Sequence, residues 1–281
     1  MEFGTLFLVG VPIGNHDDMT FRAINTLKMV DVIAAEDTRK AKKLLAHFLI
    51  KGKDTLAHGS HNEHSSANGL VALLQKGQNI AYISDAGMPG VSDPGYMLVR
   101  AALQGGIEVK VIPGVTAAIT AVSVSGIPSD RFTFQGFIPR KKGERDRFLK
   151  SIETATETQI FYEAPHRVVE MMAALKEFFP LRACTIGREL TKIHEEFIRG
   201  TVTDVYETLL SKEAILGEFT IIMGGHDGEI VVDMSLVDDE ILAALKLGTR
   251  AKEIRDEISL KTGLAKKEIY NRILALKDNF S

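Results

Sequence analysis

Apolar positions in the first 125 residues fall into short runs separated by stretches of helical spacing. Runs at residues 5–9, 30–35, 54–58, 80–84 and 108–112 each have the length of a strand. Between them Ala23, Ile24 and Leu27, then Leu44, Leu45 and Phe48, then Leu70, Leu73 and Leu74, then Leu98, Ala101 and Ala102 recur at intervals of three and four. That alternation predicts βαβ units, which right-handed crossovers assemble into a parallel sheet covered on both faces. The pattern changes at SGIPSD, residues 125–130, where Gly and Pro interrupt the periodicity. We therefore set an N-terminal α/β domain at 1–125 and a second α/β domain at 126–228. Strands are expected there at 132–137, 159–162, 183–189, 196–202 and 219–223, and helices at 143–155 and 166–178. Strands 183–189 and 196–202 are too close in sequence for a crossover helix, so they are expected to pair antiparallel and make the second sheet mixed. Beyond GGHDGE, at 224–229, a small C-terminal unit, 229–281, is helical in pattern throughout, at 237–245, 250–259 and 266–276.

Composition narrows the class. The 281 residues are 45% hydrophobic and 25% charged, the balance of a globular chain that buries a core. A net charge of −3 does not mark a nucleic-acid binder, so any such partner must meet a local basic patch. One cysteine, Cys184, rules out an intrachain disulfide framework and suits a reducing compartment. The start, MEFGTLFLVG, lacks the basic residues of a signal peptide, and no apolar run approaches the ~18 residues of a membrane span. A soluble cytoplasmic protein is expected.

In open α/β sheets ligands bind at the carboxyl ends of strands. The first strand runs into GVPIGN (10–15), the fourth into SDAGMPGVSDPG (84–95) and the fifth into PGVTAA (113–118). Together these Gly-rich or small-residue loops predict one concave wall of backbone and a small-molecule site. GVPIGN lacks the G-x-G-x-x-G spacing of a dinucleotide fold. Asp93-Pro94 reads as the N-cap and first residue of the following helix, and Asp37 or Thr38 as the N-cap of another. His58, His61 and His64 stand at i, i+3, i+6, a spacing that rotates across a helix face, so no metal site is expected.

These motifs, with AAEDTRKAKKLLAHF, SHNEH, the segment PGVTAAITAVSVSGIPSDRFTFQGFIPR, IFYEAPHRV, RELTKIHEE and GEFTIIM, resemble the tetrapyrrole-methylase superfamily. Within it they look most like the branch that methylates the ribose 2'-oxygen of a cytidine in the decoding region of 16S rRNA. The resemblance spans almost the whole chain. It implies S-adenosylmethionine bound between two α/β domains, a 16S rRNA or small-subunit partner, and commonly a homodimer. It carries cofactor contacts to Pro12, Ile13, Asp85, Gly87, Met88, Thr116 and Ala117, and from the second domain to Tyr162, Ala164 and Leu190. Met88 departs from the Thr often found after SDAG.

A ribose hydroxyl is a weak acid whose proton must be taken as the new bond forms. Glu36, Asp37, Glu63, Glu163, His166, Glu189 and Lys192 are possible acceptors; Glu163, Glu189, Lys192 and Glu63 are kept as catalytic candidates with the base unassigned. Arg167 and Arg188 are the expected partners of Glu163 and Glu189. RNA contacts are expected from Arg39 and Lys40, from His61 and Asn62 in SHNEH, and from Arg140, Lys141 and Lys142, which open a run of six basic against two acidic residues at 140–150. The tail contributes Lys266, Lys267 and Arg272; residues 245–281 hold nine Lys or Arg against five Asp or Glu, with a turn expected at Thr262-Gly263. A methyltransferase acting on tetrapyrrole ring carbons, or a non-catalytic RNA-binding assembly factor, are the competing readings.

Overall fold

The computed structural model describes residues 2–226, 234–262, 264 and 266–278. The chain divides into two compact units, Met1–Gly225 and His226–Ser281. The expected boundary at 228/229 and the Gly263 half of the tail turn lie outside the described residues.

The first unit opens with β1 (Leu6–Val9), α1 (Phe21–Met29), β2 (Val32–Ala35), α2 (Thr38–His47), β3 (Asp54–Ala57), α3 (Glu63–Gln75), β4 (Ile80–Ile83), α4 (Tyr96–Gln104), β5 (Val109–Ile112) and α5 (Ala117–Ser123). The five strands form a sheet of order β3-β2-β4-β1-β5, parallel throughout, as the alternating pattern predicts. Strands β2 and β4 are buried along their whole length and the edge strands β3 and β5 are not, because only inner strands are covered by helices on both faces. Helix starts follow from local chemistry: the Thr20 hydroxyl accepts from the Ala23 amide at 3.1 Å and the Asp37 carboxylate from the Arg39 amide at 2.8 Å. One expected start is corrected. Helix α4 begins at Tyr96 with Gly95 as its N-cap, not at Asp93-Pro94, because the Glu63 carboxylate reaches across to accept from the Gly95 and Met97 amides at 2.9 and 3.1 Å.

The second sheet is built from β6 (Phe132–Phe137), α6 (Lys142–Ser151), β7 (Thr158–Glu163), α7 (Pro165–Phe178), β8 (Ala183–Arg188), β9 (Glu196–Thr201), α8 (Val202–Leu210) and β10 (Phe219–Met223). Its order is β6-β7-β10-β8-β9. β6 and β7 are parallel, while β10 runs antiparallel to both β7 and β8, and β8 to β9, so the sheet is mixed as expected. Helix α8 is absent from the periodicity reading, which runs the strand through Val202. Thr201 and Asp204 form a reciprocal capping box that stops the strand and starts the helix, a T-x-x-D signature present in the sequence. In the second unit α9 (Met234–Lys246), α10 (Ala251–Thr262) and α11 (Lys266–Asp278) enclose Val237, Ile241, Ile254, Ile258, Ile269 and Ile273. No helix among the described residues is long and apolar enough to cross a membrane.

Candidate active site

The sheet order puts β1 between β4 and β5, so the loops that leave these three strands meet at one end of the sheet. They are held there by backbone. Val11 and Gly87 exchange two hydrogen bonds, Val11 N–H to the Gly87 oxygen at 2.9 Å and the reverse at 3.1 Å. A Cβ on Gly10 would fall 2.7 Å from the Gly114 nitrogen, and one on Gly114 would fall 2.9 Å from the Gly10 carbonyl carbon, so only glycine lets the two loops touch. The second sheet closes over them. The Tyr162 hydroxyl accepts from the Ala118 amide in the first turn of α5 at 3.0 Å, and Phe134 packs edge-on to the Tyr162 ring at 4.9 Å.

Between the two walls lies a cavity of about 420 Å³, lined on one side by Ile13, Ala86–Met88, Asp93, Thr116 and Ala117 and on the other by Phe137, Tyr162–Pro165 and Glu218–Thr220. That volume suits a small-molecule site. Asp93, Glu163 and Glu218 line it, and no Lys, Arg or His among the described residues does. The Glu163 side chain is fully buried. Its Oε1 accepts from the Ala164 amide at 2.8 Å; Arg167 stands 3.3 Å from Oε2 as an ion pair, yet the angle is not that of a hydrogen bond and Oε2 keeps no such partner. Charge is thus balanced at Glu163 while Oε2 is left without a hydrogen-bond donor.

A second cavity, about 550 Å³, adjoins the first and shares Ile13, Ala86, Asp93 and Glu218 with it. It is lined by charge of both signs: His16, Lys40, Lys43 and Lys192 against Glu36, Asp85, Asp93 and Glu218. Lys40 pairs with Asp85 at 2.7 Å, and Asp85 also accepts from the Asp37 amide at 3.2 Å. Burial pushes the Asp93 carboxyl up to about 6, helped by the nearby Glu36 charge and opposed by the Ser84 hydroxyl. Burial likewise raises Glu36, against a hydrogen bond from the Asp85 amide. Lys192 is hydrogen bonded to Glu189 at 2.8 Å and Glu218 at 3.1 Å. Burial pulls the Lys192 ammonium down, but those two carboxylates outweigh it and hold it above the ordinary lysine value.

The sequence profile of the tetrapyrrole (corrin/porphyrin) methylases matches residues 5–206, which hold both sheets' strands up to β9 and the loops described above. The chain belongs to the tetrapyrrole methylase family. It is 43% identical over 275 residues to a ribosomal RNA small subunit methyltransferase I from Halalkalibacterium halodurans, covering 95% of this chain and 94% of that one. It is 42% identical over 277 residues to the protein of the same name from Synechocystis, covering 98% and 99%. In fold it is similar to the uroporphyrin-III C-methyl transferase from Thermus thermophilus solved with S-adenosylhomocysteine, with a TM-score of 0.56, 19% identity and coverage of 78% of this chain and 97% of that one. Membership makes this chain an S-adenosylmethionine-dependent methyltransferase of the tetrapyrrole methylase superfamily. The first cavity fits that cofactor: its carboxylates suit a cation, its apolar wall an adenine ring, and Glu163 Oε2 is a buried acceptor still in need of a donor.

Within this methylase cleft the residues expected from sequence divide three ways. Ile13, Gly87, Met88, Thr116, Ala117, Tyr162, Ala164 and Glu163 line the first cavity, and Pro12, Asp85 and Lys192 the second. Leu190 lines neither and is buried with Ala118, Ala121, Ile160 and Ile222. Glu63 is engaged as the cap of α4. Glu189 is bonded to Lys192 and to the Glu218 amide rather than to Arg188, whose guanidinium turns to Glu196 at 3.1 Å; this corrects the expected pairing. The backbone explains it, since Glu189 at φ 51 leaves the strand and points its side chain away from its neighbour's. Asp93 and Glu218 line both cavities and are absent from the sequence candidates. The local pattern assigns Asp93 to a helix cap that it does not make.

Of the expected RNA contacts, Arg39 is 87% exposed but paired with Asp37, and Lys40 is paired with Asp85. His61 is exposed, whereas Asn62 closes its own turn, accepting from the Gly59 amide at 2.9 Å and donating to the Ala57 oxygen at 3.1 Å. Arg140, Lys141 and Lys142 are exposed, with Lys141 paired to Glu144. Arg145 of the same run is buried and bonded to Glu170 at 2.6 Å, so the run is less of a basic surface than its composition suggests. In the tail Lys267 is exposed, Lys266 pairs with Asp256 at 3.1 Å, and Arg272 makes two 2.6 Å bonds to Asp238. His58 is fully buried with Nδ1 2.7 Å from the Ser66 hydroxyl, apart from the exposed His61 and His64.

Proposed function

We propose that this protein methylates the ribose 2'-oxygen of a cytidine in the 16S rRNA of the small ribosomal subunit, in the cytoplasm and as a homodimer. The observation that carries the reading is the pair of adjoining cavities with Asp93 lining both, one acidic and apolar, the other lined by charge of both signs. Relatives that bear the name ribosomal RNA small subunit methyltransferase I, at 43% and 42% identity over nearly the full chain, support the substrate class.

S-adenosylmethionine, when bound, supplies a methyl carbon made electrophilic by the attached sulfonium. We assign it to the first cavity, held by the backbone of Ala86–Met88 and Thr116–Ala117, with Glu163 accepting a polar hydrogen of the cofactor. The second cavity takes the ribose, and Lys43, the lining lysine with no carboxylate partner among the described residues, balances a phosphate beside it. Lys192 stays protonated, so it positions and neutralises rather than accepting a proton. Asp93 is the base: a carboxylate oxygen takes the 2'-hydroxyl proton and returns it to solvent. A carboxyl raised to about 6 is ionised at neutral pH yet more basic than an ordinary aspartate, as general-base work requires. Positioning of the two reactants contributes the larger share of the acceleration.

The test is transfer of labelled methyl from S-adenosylmethionine to small subunits isolated from cells lacking the enzyme. A ribose 2'-O-methyl group blocks alkaline cleavage of the adjoining phosphodiester, so the label should appear in one alkali-resistant dinucleotide that begins with cytidine. Label on a base, transfer to a tetrapyrrole but not to RNA, or RNA binding without transfer would each overturn the reading.

A further inference from the structure

Three rings meet beside the second cavity, which the first of them, His16, lines. His16, in the short 3-10 turn after GVPIGN, has its ring centroid 4.0 Å from that of His47 in the last turn of α2, with the planes tilted by 46°. Phe48 stands edge-on to both, at 6.0 Å from His16 and 4.9 Å from His47. Phe48 is half-buried and packs on the core beneath the first sheet, whereas both imidazoles are exposed. His16 also lines the second cavity, and so do Lys40, Lys43 and Leu44 of α2. Lys43 lies one turn before His47 and so on the same helix face. Helix α2 carries no acidic residue, and among the described residues its carboxylate ion pairs are those of Arg39 and Lys40, which leaves the Lys43 charge uncompensated. Asp17 and Asp18 follow His16, so the cations beside the ring pair come from α2.

We propose that His16 and His47, backed by Phe48, form a stacking platform for an unpaired nucleobase next to the nucleotide entering the second cavity, with Lys43 neutralising the adjoining phosphate. The proposal rests on the RNA reading above and adds to it a subsite outside the reacting centre. Single-stranded RNA is held by splayed bases lying on aromatic or imidazole faces beside a cationic track, and such stacking tolerates any base. The rings have this composition, and His16, which lines the second cavity, sets them beside it. The plain structural alternative is that they only pin the 3-10 turn to α2.

Short single-stranded RNAs with one 2-aminopurine stepped across the positions flanking a central cytidine separate the two. At low salt the phosphates alone secure binding. Anisotropy reports the affinity, and quenching of 2-aminopurine reports stacking. Wild type should quench at one or two positions beside the cytidine. The His16→Ala/His47→Ala double variant should lose that quenching and roughly tenfold in RNA affinity, with its S-adenosylmethionine affinity unchanged. His16→Phe/His47→Phe, which keeps the rings without the imidazole nitrogens, should retain both. If RNA binds wild type but no position is quenched, or the alanine variant quenches as wild type does, the platform is overturned. If wild type binds neither these RNAs nor small subunits, the RNA reading itself fails and the platform falls with it; if it binds small subunits but none of the RNAs, the platform alone is overturned.

Discussion

Asp93 and Glu163 lie on the same cavity wall and are set up for different work. Asp93 is half-buried without a cation of its own, which lifts its carboxyl to about 6, while Glu163 is closed in with Arg167 beside it. As the proposed base, a carboxyl with that value must lose its proton before it can act, so the methyl-transfer rate is expected to rise with pH through about 6 and level off above it. Asp93→Asn should remove that limb along with most of the rate, which single-turnover assays across pH 5–8 check. The sign for stability is opposite: the folded form holds the Asp93 proton to a higher pH than the unfolded chain does, so this residue's contribution to stability falls as pH rises from the ordinary aspartate value to about 6. Glu163→Gln should weaken S-adenosylmethionine binding about tenfold in calorimetry, since a hydrogen bond to a charged acceptor contributes ~1.5–3 kcal/mol. Unchanged affinity would return Glu163 to a purely structural pair with Arg167.

At the level of elements, the cleft depends on loops that press against one another. Gly10 and Gly114 join the ends of β1 and β5 so closely that Gly114→Ala must push the loops apart. Overpacking of this kind costs ~1–3 kcal/mol, and here the strain falls on the wall of the first cavity, the proposed cofactor site. We expect a lower melting temperature together with weaker S-adenosylmethionine binding. Thr201→Ala offers the contrast. It removes a capping box at α8, which lines neither cavity, and should lower stability by ~1 kcal/mol in urea titration while S-adenosylmethionine affinity stays at the wild-type value.

On the scale of the whole molecule, a net charge of −3 leaves RNA binding to local groups. The helical tail is one proposed source, and its cations are not equivalent. Arg272 is committed to Asp238 through two bonds, so Arg272→Gln is expected to destabilise the tail more than it affects RNA. Lys252 and Lys267 are exposed, and their replacement by Gln should flatten the log–log salt dependence of small-subunit binding by ~0.7–0.9 for each phosphate that is no longer neutralised. If the slopes of the Lys variants match wild type in a fold shown intact by circular dichroism, the tail does not dock the RNA.

Both sheets and the three loops that line the cavities are legible in the sequence because burial imposes short apolar runs on inner strands and a period of 3.6 on helices, and strand ends in a parallel sheet are marked by Gly and small residues. The antiparallel pairing of β8 with β9 follows from the short connection between them. What sequence could not supply was the partner of each charged side chain. Glu63 reads as a possible base and turns out to cap α4 from the first turn of α3; Asp93 reads as that cap and is thereby freed to line both cavities. The two assignments exchange because capping needs only an acceptor within reach of two amides, and a residue some thirty positions away reaches them once the sheet is formed. Tertiary structure alone also decided that Arg188 pairs with Glu196 instead of its neighbour Glu189, that Arg145 is interior, and that His16 and His47 touch. Periodicity records which face of an element is dry, whereas ion pairs, buried acceptors and ring contacts depend on distances between elements that no local pattern encodes.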